Sequence, residues 1–301
     1  MICMYAKTIK LILLFSGTGI IHVSAQQTNV RVYNYNDLIT TVNSYFDKKS
    51  YNPSYTGDTL ALKATLKKSA YWLTTDPDGR NFSGLSVERF TEKLNSGVGL
   101  SYDYNLNALK SHILKINYNY RFSIGRVNFR LATSLGINHY TLNTDSDNSF
   151  YYINTSEQWN NHPLFSFGTL INYKKHELGI TYSDILNFDI SPNSSSASVI
   201  FKDYFVTNYS YQFQLAKSIV LVPEFINYWD FDFHFWILKS SVSFKNRIYT
   251  GLFMRSDDEF GYMVGGKPWK WLTIGYVDTR KGFSYSDYQD TYQNLILTVS
   301  F

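Results

Sequence analysis

Apolar and polar residues alternate with a period of two along most of this chain, and that periodicity leaves few folds open. In "SHILKINYNYRF", His112, Leu114, Ile116, Tyr118, Tyr120 and Phe122 fall on one side of an extended strand. Lys115, Asn117, Asn119 and Arg121 fall on the other, because strand side chains change face at each residue. "RVNFRLATSLGINHY" sets Val127, Phe129, Leu131, Leu135 and Ile137 against Asn128, Arg130, Ser134 and Asn138. "GVGLSYDY" sets Val98, Leu100, Tyr102 and Tyr104 against Gly97, Gly99, Ser101 and Asp103. In "DFDFHFWI" the apolar face is assigned to Phe231, Phe233, Phe235 and Ile237, opposite Asp232, His234 and Trp236. The last strand repeats the pattern: Leu295, Leu297, Val299 and Phe301 oppose Asn294, Thr298 and Ser300, with Ile296 the one exception.

A soluble sandwich also alternates, with its polar face in water. Here the apolar faces are too large and too often repeated for water to cover them, and they carry Tyr or Trp near their ends. Beyond the first residues there is no apolar run of about 18 residues, which excludes helical spans. The chain holds 26 Tyr, 22 Phe and 6 Trp, yet its mean hydropathy is only −0.24. Abundant aromatics on a near-polar average fit an all-β, transmembrane antiparallel up-and-down β-barrel.

Counting alternating segments between turn signals gives about fourteen strands. They start near Thr59, Arg80, Gly97, Leu109, Arg126, Leu164, His176, Ser198, Lys217, Phe231, Arg247, Glu259, Lys270 and Tyr288. The segments near Arg80, Lys217 and Glu259 alternate least clearly, so about twelve to sixteen strands stay compatible with the pattern. Every second connection is tight ("TEKLNS", "SIGR", "KKH", "AKS", "KN", "KPW"), and the intervening ones tend to be longer and more polar. Outer-membrane barrels have this asymmetry of short periplasmic turns and longer extracellular loops. An even count places both chain ends in the periplasm and lets the last strand pair with the first, leaving no edge.

The first residues carry Lys7 and Lys10, an apolar stretch from Leu11 to Val23, and Val23-Ser24-Ala25. That order reads as a secretory signal peptide over 1–25. A membrane anchor fits less well, since Ser16, Gly17, Thr18, Gly19 and His22 interrupt a stretch already too short to span. The only cysteine, Cys3, lies in this leader. The mature chain is therefore expected to hold no disulfide, thiolate metal site or cysteine nucleophile. The formal charge of +4 falls by two when Lys7 and Lys10 leave, and nothing in it points to nucleic acid. Residues 26–57 are expected to form an N-terminal periplasmic or plug segment, and 58–301 the barrel.

Asp230, Asp232 and His234, at alternate positions, are ligand-type residues on one strand face. Their spacing of about 6.8 Å is too wide for shared coordination without a second strand. "NTDSDNS" offers Asp145, Asp147 and Asn148 but lacks the glycine and distal glutamate of a calcium loop. His112, His139, His162, His176 and His234 make no His-x-Ser pair, and there is no Gly-x-Ser-x-Gly turn. "VGGKP" does not have the spacing of a phosphate loop. The reading is a protein without catalytic residues, metal or cofactor. Basic residues gather at the tight turns, where they serve either turn solubility or a basic periplasmic rim.

One segment stands outside the alternation. Asn52-Pro53-Ser54-Tyr55-Thr56-Gly57, ahead of the first strand, resembles the "NPAYAG"-type signature of the PorP/SprF family. The resemblance continues through "KKSAYW", "GVGLSYDYN", "LKINYNYRF", "LATSLGINHY", "FSFGTLINYKKHELGITYSDILN" and the terminal Phe301. Upstream, Phe46-Asp47-Lys48-Lys49 departs from the family's common "MFNP". The resemblance implies an outer-membrane barrel associated with type IX secretion in Bacteroidetes, a system tied to gliding motility. The barrel would act without enzymatic turnover, beside a large secreted adhesin-like protein and other secretion components of the periplasm or outer membrane. It also implies that the strand Leu295, Leu297, Val299, Phe301 is the signal read by the barrel-insertion machinery. A passive or solute-selective channel is the competing reading, against which the mixed signs of Lys115, Arg121, Arg130, Asp103 and Asp232 argue. On physical grounds, Asn52-Pro53 forces an extended-to-turn path. Gly57 admits a positive φ that lets the N-terminal segment fold back under or into the barrel; a plain turn into strand one would use the same residues.

Overall fold

The structure, a computed structural model, describes residues 46–69, 81–106, 109–142, 160–183, 203–230, 234–256, 259–281 and 291–301. It also describes backbone segments 11–15, 19–23, 30–34, 189–190 and 197–200. Fourteen antiparallel strands close into one barrel. They are β1 Lys63–Ser69, β2 Asn81–Thr91, β3 Ser96–Leu106, β4 Leu109–Ile124 and β5 Val127–Leu142. Next come β6 Asn160–Tyr173, β7 His176–Ser183, β8 Tyr204–Tyr211, β9 Ile219–Trp229 and β10 His234–Phe244. The last four are β11 Ile248–Arg255, β12 Glu259–Trp269, β13 Leu272–Lys281 and β14 Thr291–Ser300. Beyond Gln212, β8 continues as Phe213–Ala216, still paired to β9.

Each strand pairs with its neighbours in sequence, and β14 returns to β1 in a register running from Asn294↔Ser69 to Ser300↔Lys63. The Phe301 N–H donates to Leu62 O at 2.9 Å, so the seam is hydrogen-bonded to the final residue. Closure of this kind satisfies every ladder group without an edge, which a bilayer interior demands. Among the described residues no helix is long and apolar enough to cross a membrane; strands do the crossing.

The alternation sorts as the sequence implies. Leu114, Ile116, Tyr118 and Tyr120 of β4 are 43–55% exposed on the outside, while Ser111, Asn117 and Asn119 of the same strand are buried inside. In β14, Leu295 and Phe301 face outward and Ile296 is buried in the lumen. One face is reversed from expectation. Phe235 and Ile237 point into the lumen, 1% and 2% exposed, and His234 and Leu238 face out. Aromatics occupy both faces of "DFDFHFWI", so hydropathy alone carries no sign there.

Six tight turns lie at the end where β1 starts and β14 finishes. Asn95, Gly125, Lys174, Lys245 and Asn246 adopt positive φ between 47° and 60° in them, the left-handed geometry whose twist matches a hairpin. The intervening connections run to the other end; one of them, 107–108, is only two residues long. "NTDSDNS" lies outside the described residues. A separate small sheet joins Leu11–Phe15, Gly19–Val23, Val30–Asn34, Ala197–Ile200 and Asp189–Ile190, with one parallel pairing between Val30–Asn34 and Ala197–Ile200.

Candidate functional site

The lumen is occupied by the chain itself. Residues 46–58, just ahead of β1, turn back into the barrel, and Tyr51 through Gly57 are all buried. Local chemistry dictates the fold of this segment. Asn52 is extended (φ −140°, ψ 110°), as the residue before a proline must be. Its side-chain Oδ1 accepts from the Ser54 N–H at 2.9 Å. Pro53 then opens a 3₁₀ turn over Pro53–Tyr55, its fixed φ suiting the first position. Thr56 returns to extended backbone, and Gly57 takes φ +64°. A Cβ there would lie 2.7 Å from Arg89 O, so only glycine serves on both counts.

Three charged residues of a preceding 3₁₀ turn region, Asp47, Lys48 and Lys49, fasten this segment to the wall in two strings of alternating charge. In one, Lys48 Nζ sits 2.7 Å from Glu177 of β7 and 3.3 Å from Glu224 of β9. Glu224 in turn meets Lys239 of β10 at 2.5 Å. In the other, Lys49 bridges Asp47 (3.0 Å) and Glu88 of β2 (3.2 Å). Asp47 also meets Lys67 of β1 at 2.8 Å, and Lys67 reaches Asp103 of β3 at 3.3 Å. The wall contributes four carboxylates against two ammonium groups, and the segment adds two ammonium groups and one carboxylate, so that opposite charges alternate along both strings. Such charges are held only when paired, because each ion loses its water on burial.

Hydrogen bonds complete the fit. Tyr51 OH donates to Glu224 at 3.1 Å, and Tyr55 OH to Glu177 at 2.8 Å. Asn208 Nδ2 donates to Tyr55 OH at 2.8 Å, and Gly57 N–H to Glu88 at 2.7 Å. Arg121 and Asn119 of β4 donate to the Gly57 and Thr56 carbonyls, and Arg130 of β5 pairs with Asp58. Burial alone would raise the Asp47 carboxyl, but the Lys49 and Lys67 ammonium groups override it and hold it well below the usual carboxylate range. Burial works against the charged Lys48 ammonium, yet Glu224, Tyr55 and Glu177 push it well above its ordinary value. Burial, reinforced by Glu224, also pushes Tyr51 far up, so that phenol stays a donor.

The wall makes room by omitting side chains. A Cβ on Gly168 would stand 2.5 Å from Asn52 Oδ1 and 3.0 Å from Pro53 Cδ; one on Gly97 would stand 2.4 Å from Thr56 O. Gly265 and Gly275 present bare backbone to the Phe46 ring. Gly168→Leu is therefore expected to expel the segment while the outer ladder survives. Limited trypsin digestion, read by N-terminal sequencing, should then cut after Lys48 or Lys49, bonds the intact protein protects.

The space beyond the segment is divided. On β8 to β14, Val206, Ile226, Tyr228, Phe235, Ile237 and Phe253 belong to an apolar lumen cluster that Tyr51, Tyr55 and Phe46 join. Tyr204, Tyr228 and Phe235 stack face to face at 4.7 and 4.6 Å. The Arg255 guanidinium covers Phe235 at 5.1 Å and pairs with Glu259 at 3.0 Å. The opposite half is more polar: a small recess lies beside Asp47, Lys49 and Tyr51, lined by Ser101, Asn105, Lys115, Ser134, Ser166 and Ser183 among others.

The family-type motif Asn52 to Gly57 is thus brought together with wall residues Glu88, Asn119, Glu177, Asn208 and Glu224, which sequence reading left unassigned. Their signal was charge or amide on the inward face of a strand, where a partner is obligatory. Leu295, Leu297, Val299 and Phe301 stay apart from this site, on the far side of the wall. Asp230 and His234 do not converge: Asp230 is buried, and exposed His234 bonds Asn227 Oδ1 through Nε2 at 2.6 Å. Among the described residues no group of three or more metal-ligating side chains forms.

Similar proteins share the architecture. The outer membrane protein Omp33 of Acinetobacter baumannii superposes with a TM-score of 0.51 at 8% identity, covering 80% of this chain and 97% of that one. The toluene transporter TodX of Pseudomonas putida gives 0.48 at 8% identity, covering 91% and 94%. No curated protein matches in sequence. At 8% identity the likeness to Omp33 speaks to the fold alone, an outer-membrane barrel. The model of the PorP/SprF type IX secretion system membrane proteins matches residues 35–298, nearly the whole barrel and the segment inside it, and the chain belongs to that family.

Proposed function

We propose that this protein is a non-enzymatic outer-membrane barrel that supports type IX secretion or cell-surface attachment of a large adhesin-like substrate, as in gliding motility. In this reading a leader over 1–25 is removed, and residues 46–58 act as a resident plug. One observation carries the proposal: two charge strings tie the segment to four strands, β1, β2, β7 and β9, and seat the protein's own chain in the lumen. A barrel closed in this way works through its surfaces, by docking substrate and secretion components. The test is capture of the tagged protein from native membranes. A large secreted protein or secretion-system subunits should come with it; lipids and general porins alone would overturn the proposal.

The serine- and asparagine-lined recess beside the segment favours a second reading, a passive or solute-selective channel whose plug moves. Planar-bilayer recording separates the two. Stable ohmic steps or substrate-gated flux from the intact chain would establish a channel, and a silent membrane would remove it.

A further inference from the structure

Each of the six tight turns carries an exposed cation: Lys93, Arg126, Lys174, Lys217, Arg247 and Lys270. Lys175 and Lys245 add to them, while Glu92 is the only carboxylate in these turns. None of these cations forms an ion pair among the described residues. The result is a ring of positive charge around the end of the barrel where β1 starts and β14 finishes.

The ring lies against an outward aromatic belt. Lys174 Nζ stands 5.1 Å above the ring of Tyr173, and Lys245 Nζ 5.2 Å above that of Phe244. Both rings are on the outer face, each 40% exposed. Trp269 and Trp271 stack at 5.6 Å and are 57% and 50% exposed at the same level. Phe213 and Phe301, 45% and 77% exposed, extend the belt. Aromatics at this level mark the boundary between acyl chains and headgroups. An ammonium leaning over an outward ring therefore lies beside lipid headgroups, and the lumen and barrel axis are behind it.

We propose that this rim is a collar that selects anionic phospholipid headgroups in the adjoining leaflet. Phosphate oxygens would accept from the turn cations while the acyl chains cover Tyr173, Phe244, Trp269 and Trp271. An acidic protein docked on the same cations would have no use for outward rings set under the ammonium groups. That contrast decides between the two partners.

The rim tryptophans supply the readout. The full mature chain, reconstituted in phosphatidylcholine vesicles, is exchanged with brominated phosphatidylglycerol or brominated phosphatidylcholine, and tryptophan quenching gives their relative association. The anionic lipid should be preferred by at least about fivefold, the factor one cation contributes near an anionic surface. That preference should shrink as salt rises from about 50 to 500 mM. The combined variant K93Q, R126Q, K174Q, K217Q, R247Q, K270Q should lose it, while heat-modifiable mobility reports an intact barrel. Equal quenching by both lipids overturns the collar, as does a preference indifferent to salt; the salt series needs no variant. Displacement by inorganic phosphate at constant ionic strength would make the site one for free anion and overturn the lipid assignment. An unchanged lipid preference in the variant, with loss of a captured acidic protein, would give the rim to that protein instead.

Discussion

Glu224→Ala is expected to destabilise the folded protein by about 3–5 kcal/mol, the range for removing one partner of a buried ion pair. Glu224 is 2% exposed and receives Lys48 at 3.3 Å, Lys239 at 2.5 Å and the Tyr51 hydroxyl at 3.1 Å. Its loss removes the carboxylate that stands 2.5 Å from the Lys239 ammonium, which is 3% exposed. Denaturant titration in detergent, followed by tryptophan emission, measures the effect. The double variant Glu224→Leu with Lys239→Leu removes both members of the buried pair, so it should recover a large part of the stability despite deleting more polar atoms. A double variant as weak as the single one would show that the loss comes from packing and not from breaking the Glu224–Lys239 pair.

The intact chain is expected to be electrically silent, and a chain lacking residues 46–57 is expected to conduct. The deletion removes every segment atom that touches Glu88, Asn119, Glu177 and Glu224, and water replaces them as partners for the wall charges. Single-channel recording should show steps with the shortened chain and none with the intact one. A silent shortened barrel that still shows heat-modifiable mobility would mean that the apolar cluster around Phe235 and Ile237 closes the lumen unaided.

The same recordings across pH test the electrostatics of the segment. The Asp47 pKa is depressed, so its contribution is whole above about pH 4 and fades as pH falls toward the native value. The Lys48 and Lys49 pKa values are raised, so theirs is whole below about pH 10 and fades as pH climbs through the native values. The intact protein should therefore stay closed between about pH 4 and 10. Opening at about pH 5–6 would contradict the ion-pair account.

How much of this was legible depends on whether the two faces of a strand differ. On β4, Leu114 to Tyr120 against Asn117 and Asn119 left no ambiguity, and barrel, strand number and turn asymmetry followed from such strands. On β10 the lumen side is itself apolar, so Phe235 and Ile237 looked like lipid-facing residues. The neighbours that reveal them as interior, Tyr204 and Tyr228, come from other strands. The inserted segment was legible as an interruption and as a backbone shape, since Asn52-Pro53 and Gly57 constrain their own dihedrals. Its destination was not, because Tyr51 meets Glu224 and Tyr55 meets Glu177 across separations of 173 and 122 residues. Inward charge at Lys67, Glu88, Glu177 and Lys239 was the available clue that something must neutralise it.

The seam between β14 and β1 also sets a chronology. Residues 46–58 connect directly to β1, yet they grip β7 and β9 on the opposite wall. While the last strand is still unmatched, the cylinder is a curved sheet with an open flank, and the segment can be laid sideways onto those partners. Once Asn294 to Ser300 zip against Ser69 to Lys63, that flank is gone and only the narrow mouths remain. The stretch nearest the start of the described fold therefore has its widest approach before the finishing strand arrives, and afterwards it can enter or leave only along the axis of the cylinder.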